Sequence, residues 1–263
     1  MESLNNFKKR CDSIIDKAYQ GGVTLLNFLD EAEISVLSEE IRKNPTINLY
    51  SDGKIIDADR KRFIVSPYEI DDLDFKIDVF EIIYNKKFYD INHRSILGSL
   101  MSLGIKRECI GDIVFNDGRA FFAATKEISS FLLEEFRFIG KSPIELKLID
   151  FEVKNIINYE FKTHFLASIR LDSIVANGFN ISRTIAQEMI MEGLVYINHV
   201  LCQNTSHEVK VDDQISVRHK GKIILKDIGG KSRSGRIAVN IGRRIWWIES
   251  ESLQQCKLKW MKY

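Results

Sequence analysis

Apolar residues recur at helical spacing from Leu4 to Tyr19 (Leu4, Phe7, Cys11, Ile14, Ile15, Ala18), and Gly21-Gly22 ends the run. Asp30, with Glu33 three residues later, has the spacing of a capping box and predicts a second helix over Glu31 to Lys43. Pro45 keeps that helix from continuing. Ile47 to Tyr50 and Arg62 to Val65 then read as strands, separated by the Ser51-Asp52-Gly53 turn and a connecting loop. Together these elements predict a small N-terminal α/β unit over residues 1–73.

From 74 to 160 the pattern changes. Phe75 to Tyr84 alternates as a strand does, and His93 to Leu103 has one apolar helical face ending at Gly104. Ile110 to Phe115 and Ala120 to Ala124 read as strands joined by Asn116-Asp117-Gly118, a strong hairpin signal. Lys126 to Phe138 reads as a helix closed by Gly140, and Ile144 to Phe151 as a last strand. The order β-α-β-β-α-β predicts a ferredoxin-like plait, the form also used by RNA-recognition domains. Alternation places Phe121 and Phe122 on opposite faces, so at most one can meet a base. Base stacking and a scaffold packed on its neighbours both remain open, the scaffold being favoured. Asn155 to Leu166 links this part to the next, with a helical reading for the link itself.

Residues 167–245 predict two short helices feeding a small sheet. Leu171, Ile174 and Val175 supply the apolar face of the first helix. Ser182 is placed to cap the second, whose core side is Ile185, Met189 and Ile190. Strands are expected near Val195 to Asn198, Gln214 to Arg218, Ile223 to Leu225 and Arg236 to Ile241. An extension, 246–263, follows with Trp246, Trp247 and Trp260, expected to dock on a neighbouring surface. The fold class is therefore α+β.

Charge sharpens this division. The net charge of the 263 residues is +1, yet 1–163 hold 23 Lys+Arg against 28 Asp+Glu, whereas 164–263 hold 15 against 9. Between Lys210 and Arg244 there are 10 basic residues and 3 acidic ones. An acidic front and a basic back place nucleic-acid contact at the C-terminal end. No apolar run approaches the roughly 20 residues of a membrane span, and Met-Glu-Ser-Leu-Asn-Asn lacks the character of a signal peptide. A cytoplasmic protein is expected. Cys11, Cys109, Cys202 and Cys256 are scattered without metal-ligand spacing, which suits free thiols.

The basic residues fall in three groups. Arg183 lies in the first turn of its predicted helix, where the dipole and backbone N–H groups favour an anion and a guanidinium grips phosphate in two places. Ser182 either caps that helix, touches phosphate, or does both. Arg170 and Asp172 are expected to pair and orient the module, and Gln187, one turn beyond Arg183, is a polar group for RNA. Arg218, Lys220 and Lys222 form the second group, with Gly221 giving backbone access. Lys231, Arg233 and Arg236, after Gly229-Gly230, form the third. In the front half, Arg60-Lys61-Arg62 reads as a solvated loop or as an RNA contact. His93-Arg94, at a helix start, reads as structural or as a phosphate contact.

The order Arg170-Leu171-Asp172, Ser182-Arg183, Ala186, Gly193, Val195, Asn198, Asp213, Ile215, Ser216 and Arg218 resembles the S4-like RNA-binding domain. The rest of the chain resembles the bacterial YlmH family. That likeness is carried by Asp59-Arg60-Lys61-Arg62, His93 to Met101, Leu103-Gly104-Ile105-Lys106-Arg107 and Gly111-Asp112-Ile113. Relatives typically show Arg-Gly-Lys-Gly-Arg where this chain has Arg218-His219-Lys220-Gly221-Lys222, and an acid where Ser95 stands. The substitution at His219 puts the hairpin's close approach to RNA in question, and Ser95 removes one expected cap or contact. The resemblance implies that Arg170 faces RNA and that the tract from Lys231 to Arg236 is a basic loop before a strand.

The same resemblance implies a non-catalytic ribosome-associated factor, monomeric, whose partners are large-subunit rRNA and tRNA in rescue of stalled translation. A division-linked protein partner is the alternative. The chain has no GxGxxG loop after a strand, P-loop or zinc pattern, so neither a cofactor nor an enzyme is expected, and an RNA-modifying activity ranks last.

Overall fold

The computed structural model describes residues 4–245 apart from Asp72, Asp117 and His219, and the chain divides into two units, one ending at Ile156 and the next beginning at Ile157. The extension 246–263, with its three tryptophans and Cys256, lies outside the described residues, as do Asp117 of the expected turn and His219 of the basic hairpin.

In the first unit the chain runs α1 (Leu4–Tyr19), β1 (Thr24–Leu25), α2 (Glu31–Arg42), β2 (Asn48–Asp52), β3 (Ile55–Ile56) and β4 (Arg62–Ser66). The capping box at α2 is complete. Glu33 N–H donates to Asp30 at 2.9 Å, and Asp30 N–H donates to the Glu33 carboxylate at 2.8 Å. Strands β1, β4 and β2 form a small antiparallel sheet, on which α1 and α2 bury Phe7, Cys11, Ile14 and Leu37 beside Val65.

Next come β5 (Ile77–Tyr84), α3 (His93–Ser102), β6 (Ile110–Asn116), β7 (Arg119–Thr125), α4 (Ser129–Glu135), β8 (Phe138–Ile139), β9 (Ser142–Ile149) and β10 (Val153–Lys154). The sheet order is β6-β7-β5-β9-β8 with antiparallel neighbours, so its four long strands follow the order expected of a β-α-β-β-α-β plait. Ile96 and Leu100 of α3 and Leu132 of α4 cover one face over Phe80, Ile82, Phe122 and Leu146. The other face, with Val79, Val114, Phe121 and Ala123, is covered by Phe28, Ile55, Ile64 and Val153. Phe121 and Phe122 are 2% and 0% exposed, so neither ring is available to a base and the scaffold reading holds.

Two expected elements differ. The helix expected over Lys126 to Phe138 is a 3₁₀ turn, Lys126–Ile128, followed by the short α4. Phe138 instead pairs with Pro143 in a hairpin whose turn carries Gly140 at φ 59°. The glycine that looked like a helix stop serves a β-turn. The link Asn155 to Leu166 is not helical: Asn158–Leu166 is a nine-residue strand, β11, of the second unit. Its alternation of Tyr159, Phe161, Thr163 and Phe165 with Glu160, Lys162 and His164 is the period of a strand.

Three of the four motifs that carried the YlmH resemblance, around Asp59-Arg60, Arg107 and Gly111-Asp112, meet inside the first unit. Asp112 accepts from Asp59 N–H (2.6 Å), Arg60 N–H (3.2 Å) and Asn155 Nδ2 (3.4 Å). Arg60 donates to the carbonyls of Phe28 and Ile110 at 2.9 and 3.1 Å, and Arg107 donates to those of Ile110 and Gly111. Burial, and then the nearby Arg60 guanidinium, push Arg107 down to about 9. Gly111 sits in this knot because a Cβ there would lie 2.7 Å from the Phe28 ring and 3.0 Å from Ala123 Cβ. Gly111→Ala is therefore expected to cost about 1–3 kcal/mol by overpacking, read as a lower urea midpoint for the first unit with an unchanged m value.

The second unit comprises β11, α5 (Leu171–Phe179), α6 (Arg183–Met191), β12 (Val195–Ile197), β13 (Val200–Leu201), β14 (Gln214–Val217), β15 (Gly221–Lys231) and β16 (Ile237–Ile245). Its antiparallel sheet has the order β11-β16-β15-β14-β12-β13. Leu171, Ile174 and Val175 of α5 and Ala186 and Ile190 of α6 pack on Ile215, Ile223, Leu225, Val239 and Ile241. Ile185, expected in that core, is exposed. The buried stripe of α6 centres on Ala186 and Ile190, one turn apart, and Ile185 lies on its flank. Among the described residues no helix is long and apolar enough to cross a membrane.

Candidate nucleic-acid interface

The helix pair α5–α6 builds its polar corner around one acid. Asp172, in the first turn of α5, is fully buried, which without partners would be costly for a carboxylate. Its partners come mainly from α6. Arg183 Nε and Nη2 donate to its two oxygens at 3.0 and 3.2 Å, and Gln187 Nε2 donates at 2.8 Å. Arg170, the residue just before α5, adds a longer contact at 3.4 Å. Burial raises the Asp172 carboxyl. The hydrogen bonds from Arg183 and Gln187, with the charges of Arg183 and Arg170, outweigh it and hold the group below the usual aspartate range.

Arg183 is thus locked along one edge. A guanidinium has five N–H donors, and these bonds engage Nε and one terminal nitrogen of a side chain that is still 53% exposed. Ser182 caps α6, with Ile185 N–H donating to its Oγ at 3.2 Å. The expected pair of Arg170 with Asp172 is present. Gln187, expected as a group for RNA, spends its amide on Asp172 and acts on Arg183 through that shared acid. The corner holds two arginines and one aspartate beside a helix N-terminus, an arrangement that favours an anion.

The other two basic groups lie apart. Arg218, Lys220 and Lys222 sit around the β14–β15 turn, where Gly221 adopts φ 109° and Arg218 N–H donates to Leu194 O at 2.9 Å. Lys231, Arg233 and Arg236 surround the tip of the β15–β16 hairpin, closed by Ser232 N–H to Arg236 O at 2.7 Å. Gly229-Gly230, expected ahead of a loop, fall inside β15 at a break in register. Lys222 and Lys231 lie near opposite ends of this eleven-residue strand, roughly 30 Å apart along it. The structure therefore brings together Arg170, Ser182, Arg183 and Gln187, and places the remaining six residues at two distinct ends of the sheet.

Further pattern residues have structural duties. Asn198, at φ 49°, donates to Asp213 at 2.8 Å and accepts from Gln214 N–H, tying the β12–β13 turn to the start of β14. Ser95 does not remove the cap of α3. It accepts from Asn92 N–H at 2.9 Å while its own N–H donates to Asn92, so a hydroxyl completes the box in the place of an acid. Arg60 and Arg62 do not form a solvated loop, because backbone carbonyls of the first unit hold both. Sequence reasoning also missed Arg243, which stacks over Phe179 at 5.6 Å, and the exposed aromatics of β11.

The S4 domain model matches residues 169–215, the stretch that holds this two-helix corner with its arginine keyed by a buried acid, so the second unit carries a domain of the S4 RNA-binding class. A second model, described as a putative RNA-binding domain in YlmH, matches residues 71–153. Over 235 residues the chain is 31% identical to the ribosome-associated protein quality control protein P2 of Bacillus subtilis (strain 168), covering 88% of this chain and 90% of that one. The chain belongs to the YlmH family. It also resembles a solved structure, the cell division protein ylmH from Streptococcus pneumoniae, with TM-score 0.48 and 21% identity over 56% of this chain and 91% of that one.

Proposed function

We propose that the protein is a non-catalytic RNA-binding factor of the cytoplasm that associates with the ribosome. In this reading its S4 domain holds large-subunit rRNA beside a tRNA while stalled translation is rescued. The observation that carries it is the Asp172-keyed corner, where Arg183 is fixed through Nε and Nη2 on a side chain that remains 53% exposed. A guanidinium oriented in advance loses little freedom on meeting a phosphate, which suits recognition of folded RNA. The name of the Bacillus subtilis relative, a ribosome-associated quality control protein, supports the choice of partner. The contribution is binding free energy that stabilises one arrangement of tRNA and rRNA.

Co-sedimentation with separated ribosomal subunits, followed by sequencing of crosslinked RNA, tests this reading. The parent is expected to travel with the large subunit and to crosslink to its rRNA and to tRNA. Arg183→Ala/Arg218→Ala is expected to weaken binding by about 10- to 100-fold and to flatten its salt dependence by one to two phosphate contacts. Sedimentation indifferent to the double variant would sink the reading and send the search to a protein partner, a division protein among them.

A further inference from the structure

The sheet of the second unit has two faces, and the helices α5 and α6 cover only one. On β11 the residues facing away from them are Tyr159, Phe161, Thr163 and Phe165, because Leu166 and its cross-strand partner Ile237 belong to the helix side. Phe161 and Phe165 are 46% and 54% exposed. Their cross-strand partners are Gly242 and Ala238, so the neighbouring strand stays low beside both rings. A Cβ on Gly242 would lie 2.6 Å from Phe161 Cε1, which places that ring directly over the glycine backbone. Gly229, beside Ala238, keeps the surface flat near Phe165 as well.

Charge at this face favours one occupant. Arg236, exposed, stands just ahead of β16, two residues before Ala238, at the Phe165 end. At the other end Lys222 shares the face with Ile224, the partner of Gly242, whereas Arg244, across from Tyr159, is buried and adds nothing to the accessible charge. Asp227, opposite Asn240, is the acid that register brings to the middle, so cations prevail. Two exposed rings about 13 Å apart along a strand, flanked by cations at both ends, form a stacking platform with phosphate partners beside it.

We propose that this open face is a second RNA-binding surface, on which Phe161 and Phe165 stack unpaired bases while Arg236 and Lys222 attend the backbone. The proposal rests on the RNA-binding reading above and adds a single-stranded ligand to it. It also moves aromatic recognition from the central strands of the plait, where Phe80, Phe121 and Phe122 are buried, to the strand that precedes the helices.

The test uses the full chain, a short fluorescent oligouridylate and anisotropy at several salt concentrations. Phe161→Ala/Phe165→Ala is expected to weaken binding by roughly 10- to 100-fold with an unchanged salt slope, since stacking releases no counterions. Phe161→Leu/Phe165→Leu keeps the apolar cover over Gly242 but lacks the ring face, and should weaken it by a similar factor with an unaltered melting temperature. Leucine variants that bind like the parent would overturn the proposal. So would a concentration-dependent dimer lost in the alanine pair while oligouridylate binding is unchanged, which would make the face an interface between copies. If the parent ignores oligouridylate yet still sediments with ribosomal subunits, the platform fails and the ribosome reading stands. If it binds neither, both fall.

Discussion

Asp172→Ala should loosen the second unit by about 2–4 kcal/mol and weaken ribosome binding by at least about tenfold even where the variant remains folded. The carboxylate is fully buried and gathers donors from Arg183, Gln187 and Arg170, so its removal leaves three polar groups facing a vacated site. Breaking a wholly buried pair costs about 3–5 kcal/mol, but here the arginines are about half exposed and can turn to water, which lowers the figure. The loss of affinity has a different origin. Without Asp172 the Arg183 fork samples many rotamers, and binding must select one of them. Asp172→Asn, which keeps the volume without the charge, should fall between parent and alanine. Amide exchange of α5 and α6 reads the stability and co-sedimentation reads the affinity. Coupling between Asp172→Ala and Arg183→Ala in a double-mutant cycle tests whether the two act as one unit.

The same acid gives a pH signature. Because its pKa is lowered on folding, its stabilisation is present in full above the ordinary aspartate value near about 4 and disappears as pH falls through the lowered folded value. The stability of parent and Asp172→Asn should therefore differ at neutral pH and draw together in acid. A gap that stays constant down through that range would show that the charge does not matter.

What the sequence revealed depended on whether a signal was local. The Asp30–Glu33 box, the apolar stripe of α1 and the order of the plait strands each lie within a short window, and each appears as expected. The failures are of two kinds. Glycine punctuation is ambiguous, so Gly140 read as a helix stop although it turns a hairpin. Edge strand β11 carries a fair period of two, but its apolar positions are exposed aromatics, and a strand with little to bury looks like a link. The site was legible as residue types and not as an arrangement. Arg170, Asp172 and Arg183 announce an oriented module, yet nothing local shows that Gln187 closes on the same acid or that Lys222 and Lys231 lie at opposite ends of one strand. Such facts depend on tertiary pairing.

Arg62 shows most clearly how far residue type can mislead, and it yields the other large effect. It stands in a run of three cations, as an RNA-contacting loop might, but it is 3% exposed. Its Nε donates to Leu26 O at 3.0 Å and its Nη1 to Lys76 O at 2.9 Å, while Nη1 also meets the Glu127 carboxylate at 3.2 Å. One side chain thus ties the segment before α2, the entry to β5 and the turn leading to α4. Arg62→Ala should destabilise the first unit by about 3–4 kcal/mol, since it leaves carbonyls without donors and opens space where the stem packed. Arg62→Lys should recover only part of this, because an ammonium cannot reach three separate acceptors with the geometry of a guanidinium. Below the melting point, oligouridylate and ribosome binding should match the parent, since the role is internal. Lys61→Ala, next to it in sequence but partly exposed, should leave the melting temperature nearly unmoved. Loss of RNA binding in a fully folded Arg62→Ala protein would instead make this triplet part of the interface, and the first unit would then share the work of the S4 domain.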